Sequence, residues 1–378
     1  MDTAKKMKLY VIAGEASGDL HASNLMRALK IENENIDFRC WGGDKMEMQG
    51  GKIVKHFKDL AFMGFIEVIS NLKTILKNIR FCKEDIEFYQ PDALILVDYP
   101  GFNLRIAEWA HSKGIKVIYY ISPQVWAWKK SRVHKIKKFV DQMYVILPFE
   151  KDFYAEFDYD VAYLGHPLLD AIEDYRHVAI PREQFLKNNQ LENKPIIAIL
   201  PGSRKQEVSV KLPIMLEALK SFEDYQLIIA GAPSLDKSFY DSLITENVKI
   251  IFGQTYDLLS NSEAAVVTSG TATLETALLG IPEVVCYKGS AISYQIAKRL
   301  IKIKYISLVN LIMDREVVKE LIQIECTSAN IEKELKTLLI GGSKRVEMLQ
   351  DFVEMEKILG KGGASKKVAQ SLLKTILG

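Results

Sequence analysis

The chain has 378 residues, with 50 Lys and Arg against 48 Asp and Glu, 48% hydrophobic and 26% charged residues, and a mean hydropathy of zero. That balance suits a globular protein large enough for two domains and argues against a dedicated nucleic-acid binder, whose phosphate contacts need a basic excess. Cys40, Cys82, Cys286 and Cys326 form no CxxC or Cys/His cluster, which argues against zinc and disulfides and fits a reducing compartment. No window approaches the roughly 18 apolar residues of a membrane-spanning helix, and the apolar run at 9–13 is too short for a signal-peptide core. A cytoplasmic protein is expected, with the membrane surface still open to it.

Taken in chain order, short β-rich runs at 8–13, 93–97, 116–120 and 142–147 alternate with helical patterns. Near-continuous apolar strands separated by helices predict a parallel sheet covered on both faces. The pattern pauses over 175–194, then resumes with strands at 195–200, 226–230, 248–252, 264–267 and 283–286. Beyond Val309 the strand signal fades, and helices broken by Gly341-Gly342 and by 360–363 run to the end. The expected fold class is α/β, with two doubly wound parallel-sheet domains and a helical tail. We place the domains at 1–178 and 179–345, with 346–378 packing back on the first domain or on a partner chain.

Ligands of such sheets sit beyond the C-terminal ends of the strands. The turn at 14–19, GEASGD, offers two glycines, Glu15, Ser17 and Asp19 at the opening of a helix. It is not GxGxxG, so a nicotinamide cofactor is disfavoured. The run 93–97 ends in Asp98, followed by Tyr-Pro-Gly-Phe-Asn103. An acid leaving a buried strand is suited to be a general base, since partial burial raises its pKa, although it could instead cap the next helix. The turn at 122–128, SPQVWAW, supplies Gln124 and two tryptophans that either stack on a sugar or plug the core.

In the second half, LPGSR at 200–204 puts Ser203 and Arg204 just past a strand, and SGTATLE at 269–275 puts Ser269, Gly270, Thr271 and Glu275 past another. An arginine fork and the free N–H groups of a helix start suit a diphosphate, and Glu275 suits ribose hydroxyls. Neither turn is a P-loop. Asp158-Tyr-Asp160 has the spacing of a metal-holding DxD but precedes a strand, so it reads as a solvated connection. The six histidines show no pairing in sequence, and His166 reads as ordering a turn. The stretch 62–80 is the most amphipathic, with Phe62, Met63, Phe65, Ile66 and Ile69 beside Lys73, Lys77 and Arg80. It is either a core-facing helix or a loop and helix dipping into an anionic lipid surface.

Together with MGFIEV at 63–68, VDYPGFN at 97–103, LPFE at 147–150, GHPL at 165–168, YISLVN at 305–310 and ECT at 325–327, these motifs resemble the lipid-A-disaccharide synthase family in order over nearly the whole chain. The resemblance implies an inverting glycosyltransferase of the GT-B type, with two Rossmann-like domains and no metal or other cofactor. It would join UDP-2,3-diacylglucosamine to 2,3-diacylglucosamine 1-phosphate, releasing UDP and forming the β-1,6-linked disaccharide of lipid A. It also implies a peripheral protein at the cytoplasmic face of the inner membrane, with acyl or membrane contact at Phe62, Met63, Phe65, Ile66 and Ile69. A homodimer is open, and no nucleic acid is expected as a partner.

By the same resemblance Asp98 is the base and Arg204 the catalytic cation. Ser203, Ser269, Gly270, Thr271, Glu275 and Asn310 would bind the nucleotide sugar, and Glu15, Ser17, Asp19, Asn103 and Gln124 would line the acceptor side. Gly101 stands where the family usually has aspartate after the proline, so either that position is not essential to the base mechanism or Asp98 is the wrong candidate. The alternatives are another GT-B enzyme on UDP-sugars, a peptidoglycan lipid glucosaminyltransferase or a UDP-sugar 2-epimerase, and a non-catalytic UDP-sugar or lipid-binding adaptor.

Overall fold

The computed structural model describes residues 6–60, 72–127, 129–244, 248–289, 294 and 303–378. It divides into two compact units, Met1–Ala171 with Lys361–Gly378, and Ile172–Gly360. In the first, seven strands lie in the order β3-β2-β1-β4-β5-β6-β7. They are β1 Met7–Ala13, β2 Ile36–Gly42, β3 Gly51–His56, β4 Ala93–Val97, β5 Lys116–Tyr120, β6 Gln142–Val145 and β7 Ala162–Tyr163. Every pairing is parallel.

The two-residue side-chain period sends alternate residues of a strand to opposite faces. Tyr10 and Ile12 join one core with Leu94, Leu96, Ile79 and Ile86, while Leu9, Val11 and Ala13 join the other with Leu25, Leu29 and Leu372. Strands β2 and β3 escape the sequence reading because they lie toward the sheet's edge and mix charged residues such as Asp37, Arg39 and Lys52 with apolar ones.

The helices of this unit are α1 Ala16–Glu32, α2 Asp44–Met48, α3 Leu72–Tyr89, α4 Pro100–Ser112, α5 Arg132–Phe139 and α6 Glu150–Ala155, while α7 Pro167–Val178 carries the chain out. A buried polar knot fastens α3 to the sheet. Asp85 accepts from Tyr10 Oη at 2.7 Å and from both Arg39 Nε at 2.7 Å and Arg39 Nη2 at 2.5 Å, and Trp41 Nε1 donates to Tyr10 Oη at 2.8 Å.

The second unit has six parallel strands in the order β10-β9-β8-β11-β12-β13. They are β8 Ile196–Leu200, β9 Gln226–Gly231, β10 Val248–Phe252, β11 Ala264–Thr268, β12 Glu283–Tyr287 and β13 Lys319–Ile322. The sequence reading stops before β13 because half of this four-residue edge strand is charged. Its helices, after the end of α7, are α8 Arg182–Asn188, α9 Lys205–Ala218, α10 Lys237–Asp241, α11 Thr255–Ser260, α12 Thr271–Leu278, α13 Leu308–Met313, α14 Ser328–Lys336 and α15 Arg345–Leu359.

The boundaries fall at 171/172 and 360/361, where the sequence places them at 178/179 and 345/346. Helix α15 stays with the second unit through Arg315, whose guanidinium meets Asp351 at 2.6 Å and Glu354 at 2.8 Å. The last helix, α16 Ala364–Leu377, lies against α1 and adds Val368, Ala369, Leu372 and Leu373 to the first unit's core. Asp170 caps it by accepting from the backbone N–H groups of Gly363 at 2.6 Å, Ala364 at 3.1 Å and Ser365 at 2.7 Å.

In both sheets the strand order reverses at the first strand, between β1 and β4 and between β8 and β11. Crevices open at such switch points, and the glycine-rich and acidic turns of the sequence follow these strands.

Asp85→Ala leaves Arg39 charged and without its carboxylate partner, so it is expected to destabilise the first unit by about 3 kcal/mol. Urea unfolding followed by tryptophan fluorescence will read this as a lower midpoint.

Candidate functional site

In the first unit the chain leaves β4 through two successive left-handed residues, Asp98 at φ 45° and Tyr99 at φ 48°. Neither is a glycine, so the turn is strained and must be held by its surroundings. The Asp98 N–H donates to Tyr120 O at 3.2 Å. Its carbonyl accepts from Tyr119 Oη at 2.5 Å and from Asn103 Nδ2 at 2.8 Å. Pro100 opens α4 directly behind it, with its φ already suited to a helix start.

Gly14 is required opposite, because a Cβ there would stand 2.4 Å from the Tyr99 ring. This brings Glu15 close to Asp98. Burial pushes the Asp98 carboxyl up to about 7, and the negative charge of Glu15 adds to the rise.

The other first-unit candidates divide by what their atoms already do. Asp19 is buried and accepts from the N–H groups of Gly43 at 2.7 Å, Lys45 at 3.2 Å and Met46 at 3.2 Å, so its carboxylate holds the start of α2. Asn103 is fully buried and pins the strand end through Val97 O at 3.2 Å as well as Asp98 O. Ser17 is half-buried and Gln124 exposed. Phe62, Met63, Phe65, Ile66 and Ile69 lie outside the described residues. Asp158 and Asp160 are exposed in the turn before β7.

Two groups were given no site role from the sequence. Glu150 is buried, accepts from the N–H groups of Ile146 at 3.1 Å and Leu147 at 2.9 Å, and is pushed up to about 7 by burial. Ser122 and Tyr154 share a hydrogen bond of 2.7 Å beside it. The LPFE string contains Glu150, but nothing in the string shows that the side chain turns back onto its own backbone. His21 and His166, far apart in sequence, are both buried and held neutral, pushed down to about 4 and about 3, chiefly by burial.

In the second unit, Gly202 takes φ 123°, and a Cβ on it would stand 2.6 Å from Glu207 Oε2. Glu207 in turn receives Arg204 Nη1 at 3.2 Å, holding an exposed guanidinium at the start of α9. Ser203 is exposed, and its carbonyl accepts from Ser234 Oγ at 2.9 Å.

After β11, Ser269 donates its hydroxyl to Ile306 O at 3.1 Å, Gly270 leaves open space where a Cβ would lie, and Thr271 begins α12. The free N–H groups at the start of α12 form an anion-ready end. Glu275, one turn in, accepts from Tyr256 Oη at 2.7 Å, and burial raises its carboxyl above the usual range. Tyr175 packs edge-on against Tyr256 at 5.4 Å and steadies that pair.

The sequence puts Asn310 near the nucleotide, yet its fully buried amide is already saturated. Nδ2 donates to Val318 O and to Glu320 Oε1, both at 2.9 Å. Oδ1 accepts from Val317 N at 2.7 Å and Val318 N at 3.0 Å. Four bonds fill the amide's capacity.

The first unit thus offers a carboxyl poised to take a proton, and the second an arginine, a helix start and a carboxylate suited to a nucleoside diphosphate. Among the described residues, no three His, Cys, Asp or Glu side chains converge as metal ligands would.

In overall fold the chain is similar to the UDP-GlcNAc 2-epimerase from Neisseria meningitidis bound to UDP-GlcNAc, with a TM-score of 0.68, 16% identity and coverage of 97% of this chain and 100% of that one. It is also similar to a kitacinnamycin glycotransferase, with a TM-score of 0.64, 12% identity and coverage of 99% and 100%. At these identities the likeness shows the fold, two parallel-sheet α/β units of the GT-B type. Sequence decides between the activities found on it.

The chain is 40% identical over 377 residues to the lipid-A-disaccharide synthase of Syntrophus aciditrophicus (strain SB), covering 97% of each chain. It is 37% identical over 378 residues to that of Myxococcus xanthus (strain DK1622), covering 98% and 97%. The family model described as lipid-A-disaccharide synthetase matches residues 9–375. Because that match takes in the turns carrying Glu15, Asp98, Arg204 and Glu275, the chain belongs to the lipid-A-disaccharide synthase family.

Proposed function

We propose that the chain forms the lipid A disaccharide from a UDP-diacylglucosamine donor and a diacylglucosamine 1-phosphate acceptor, with Asp98 as general base. The observation that carries this reading is the half-buried Asp98 carboxyl at the strained end of β4, raised to about 7 by burial and by Glu15. A base with a pKa near the working pH combines a useful ionised fraction with a real affinity for the proton.

As the acceptor 6-hydroxyl attacks the anomeric carbon, Asp98 takes its proton and the bond from that carbon to the UDP oxygen breaks. The carbon inverts, and the negative charge moves onto the diphosphate. Arg204 and the N–H groups at the start of α12 meet that charge as fixed donors. Glu275, with one oxygen turned by Tyr256, offers the other to the ribose hydroxyls. Glu15 and Ser17 lie on the acceptor side, and Asp19 and Asn103 act there by holding the backbone.

The protein works at the membrane surface, where its acceptor resides. Support comes from the described part of the amphipathic stretch, in which Leu76 is exposed on α3 among the exposed Lys73, Lys77 and Arg80, with exposed Phe81 directly after it. No helix among the described residues is long and apolar enough to cross a membrane. The proposed contact is a peripheral one, on the cytoplasmic leaflet of the inner membrane.

Asp98→Asn keeps the shape of the turn and removes the base. It is expected to lower kcat about a thousandfold with little change in the KM for the UDP-sugar, measured as UDP release coupled to disaccharide formation. Unchanged kcat would place the base elsewhere, whereas no disaccharide from the wild-type protein with both substrates bound would favour the adaptor reading.

The pH profile follows from the same carboxyl. Only its ionised form accepts a proton, so kcat/KM rises with pH through about 7 and falls away below it. Glu15→Gln removes the like charge that adds to the rise, so the acid limb moves to lower pH. A limb that stays in place would separate Asp98 from Glu15.

A further inference from the structure

We infer that Glu320 is a positioning residue for the nucleotide turn, acting through Ile306 and Ser269. The inference rests on the reading that the Ser269–Gly270–Thr271 turn holds the donor's diphosphate. Glu320 lies on the short edge strand β13 and is 7% exposed. Its carboxylate collects donors from a single stretch of chain. Oε1 accepts from Ile306 N at 3.1 Å, Ser307 N at 2.9 Å, Ser307 Oγ at 2.8 Å and Asn310 Nδ2 at 2.9 Å, while Oε2 accepts from Ile306 N at 3.0 Å. Every partner is a donor, as an acceptor-only carboxylate demands, and such charge-assisted bonds are stronger than neutral ones.

The stretch held in this way ends at the nucleotide turn. Ile306 gives its N–H to Glu320 and its carbonyl to the Ser269 hydroxyl at 3.1 Å. The Ser269 N–H donates to Cys286 O at 3.1 Å on β12. Ser269 is therefore fixed from two directions, by the sheet and by the segment that Glu320 organises. The residue after it, Gly270, has open space where a Cβ would lie and no side chain of its own to anchor it. Without the second tether, Ser269 keeps only its bond to the sheet, and the turn's remaining hold is the Thr273 hydroxyl on Gly270 O at 2.9 Å.

The saturated amide of Asn310 belongs to the same knot. It ties α13 to the start of β13 through Val317 and Val318, which sets Glu320 at the height of Ile306. Asn310 thus bears on the nucleotide from two steps away.

Glu320→Gln keeps the volume and one acceptor oxygen while removing the charge. It is expected to raise the KM for the UDP-sugar, and weaken inhibition by UDP in parallel, by about tenfold. The acceptor KM should stay unchanged, and kcat should fall by up to about tenfold because the same N–H groups meet the leaving charge. Ser269→Ala cuts the tether on its other side and should raise the donor KM against the acceptor KM in the same way. The double variant should be no worse than the poorer single, because both break one link.

A merely structural Glu320 would lower Tm and leave the donor KM unmoved against the acceptor KM, and that result overturns the proposal. If Glu320→Gln does not fold, Ser307→Ala, which removes one donor from the carboxylate, is read by the same KM and UDP inhibition, and no change in either overturns the proposal. Hydrogen exchange of the wild-type protein with and without UDP separates the two levels of the argument. Protection of 269–273 by UDP, together with an unmoved KM in Glu320→Gln, sinks the positioning role alone. No protection of 269–273 in the wild type sinks the nucleotide-turn reading, and the positioning role with it.

Discussion

The structure turns on a short left-handed passage, Asp98 and Tyr99, between a buried strand and a helix. Such a conformation persists only where neighbours over-determine it, and here three kinds of neighbour do so. The Tyr119 hydroxyl and the Asn103 amide fix the Asp98 carbonyl, the backbone of Tyr120 fixes its N–H, and the missing side chain of Gly14 makes room for the Tyr99 ring. The strain is offset by these contacts, and the return is an acid placed where burial and Glu15 hold its proton affinity near neutrality.

The second unit solves a different problem with the same topology. By the proposed reading it meets a leaving diphosphate, which needs fixed positive ends rather than a proton acceptor, and each of its two turns is suited to supply one. At the first, Gly202 and Glu207 interlock and hold Arg204. At the second, Ser269 is tethered so that the start of α12 is presented without a side chain in front of it. In neither turn does the ligand-facing group hold itself in place. The holding is done by carboxylates one layer back, Glu207 in one case and, by our inference, Glu320 in the other. Loss of a preorganising group of this kind costs binding without touching a reacting atom.

Much of this was legible in the sequence, and for identifiable reasons. The parallel strands were visible as apolar runs, and Asp98, Arg204 and Ser269 stood out because a polar residue at the end of such a run lies where ligands bind in these sheets. The motifs could not show which polar atoms were already occupied. Asp19 and Asn310 sit in the right strings, yet one caps α2 and the other is saturated by its neighbours. Glu320 was invisible because a charged residue in a four-residue edge strand looks like surface. Glu150 was passed over because its bonds are to its own chain. The tail was read as one helical block, whereas α15 belongs to the second unit and α16 to the first, a division set by packing that leaves no trace in helical periodicity.

The central claim is that the fold itself raises the proton affinity of Asp98, and titrating that carboxyl in the intact protein tests it most directly. With aspartate labelled at the side-chain carboxyl carbon, NMR can follow Asp98 across the pH range, assigned by its absence in Asp98→Asn. The account predicts a midpoint near 7. A midpoint near 4, the value of an ordinary exposed aspartate, would contradict it.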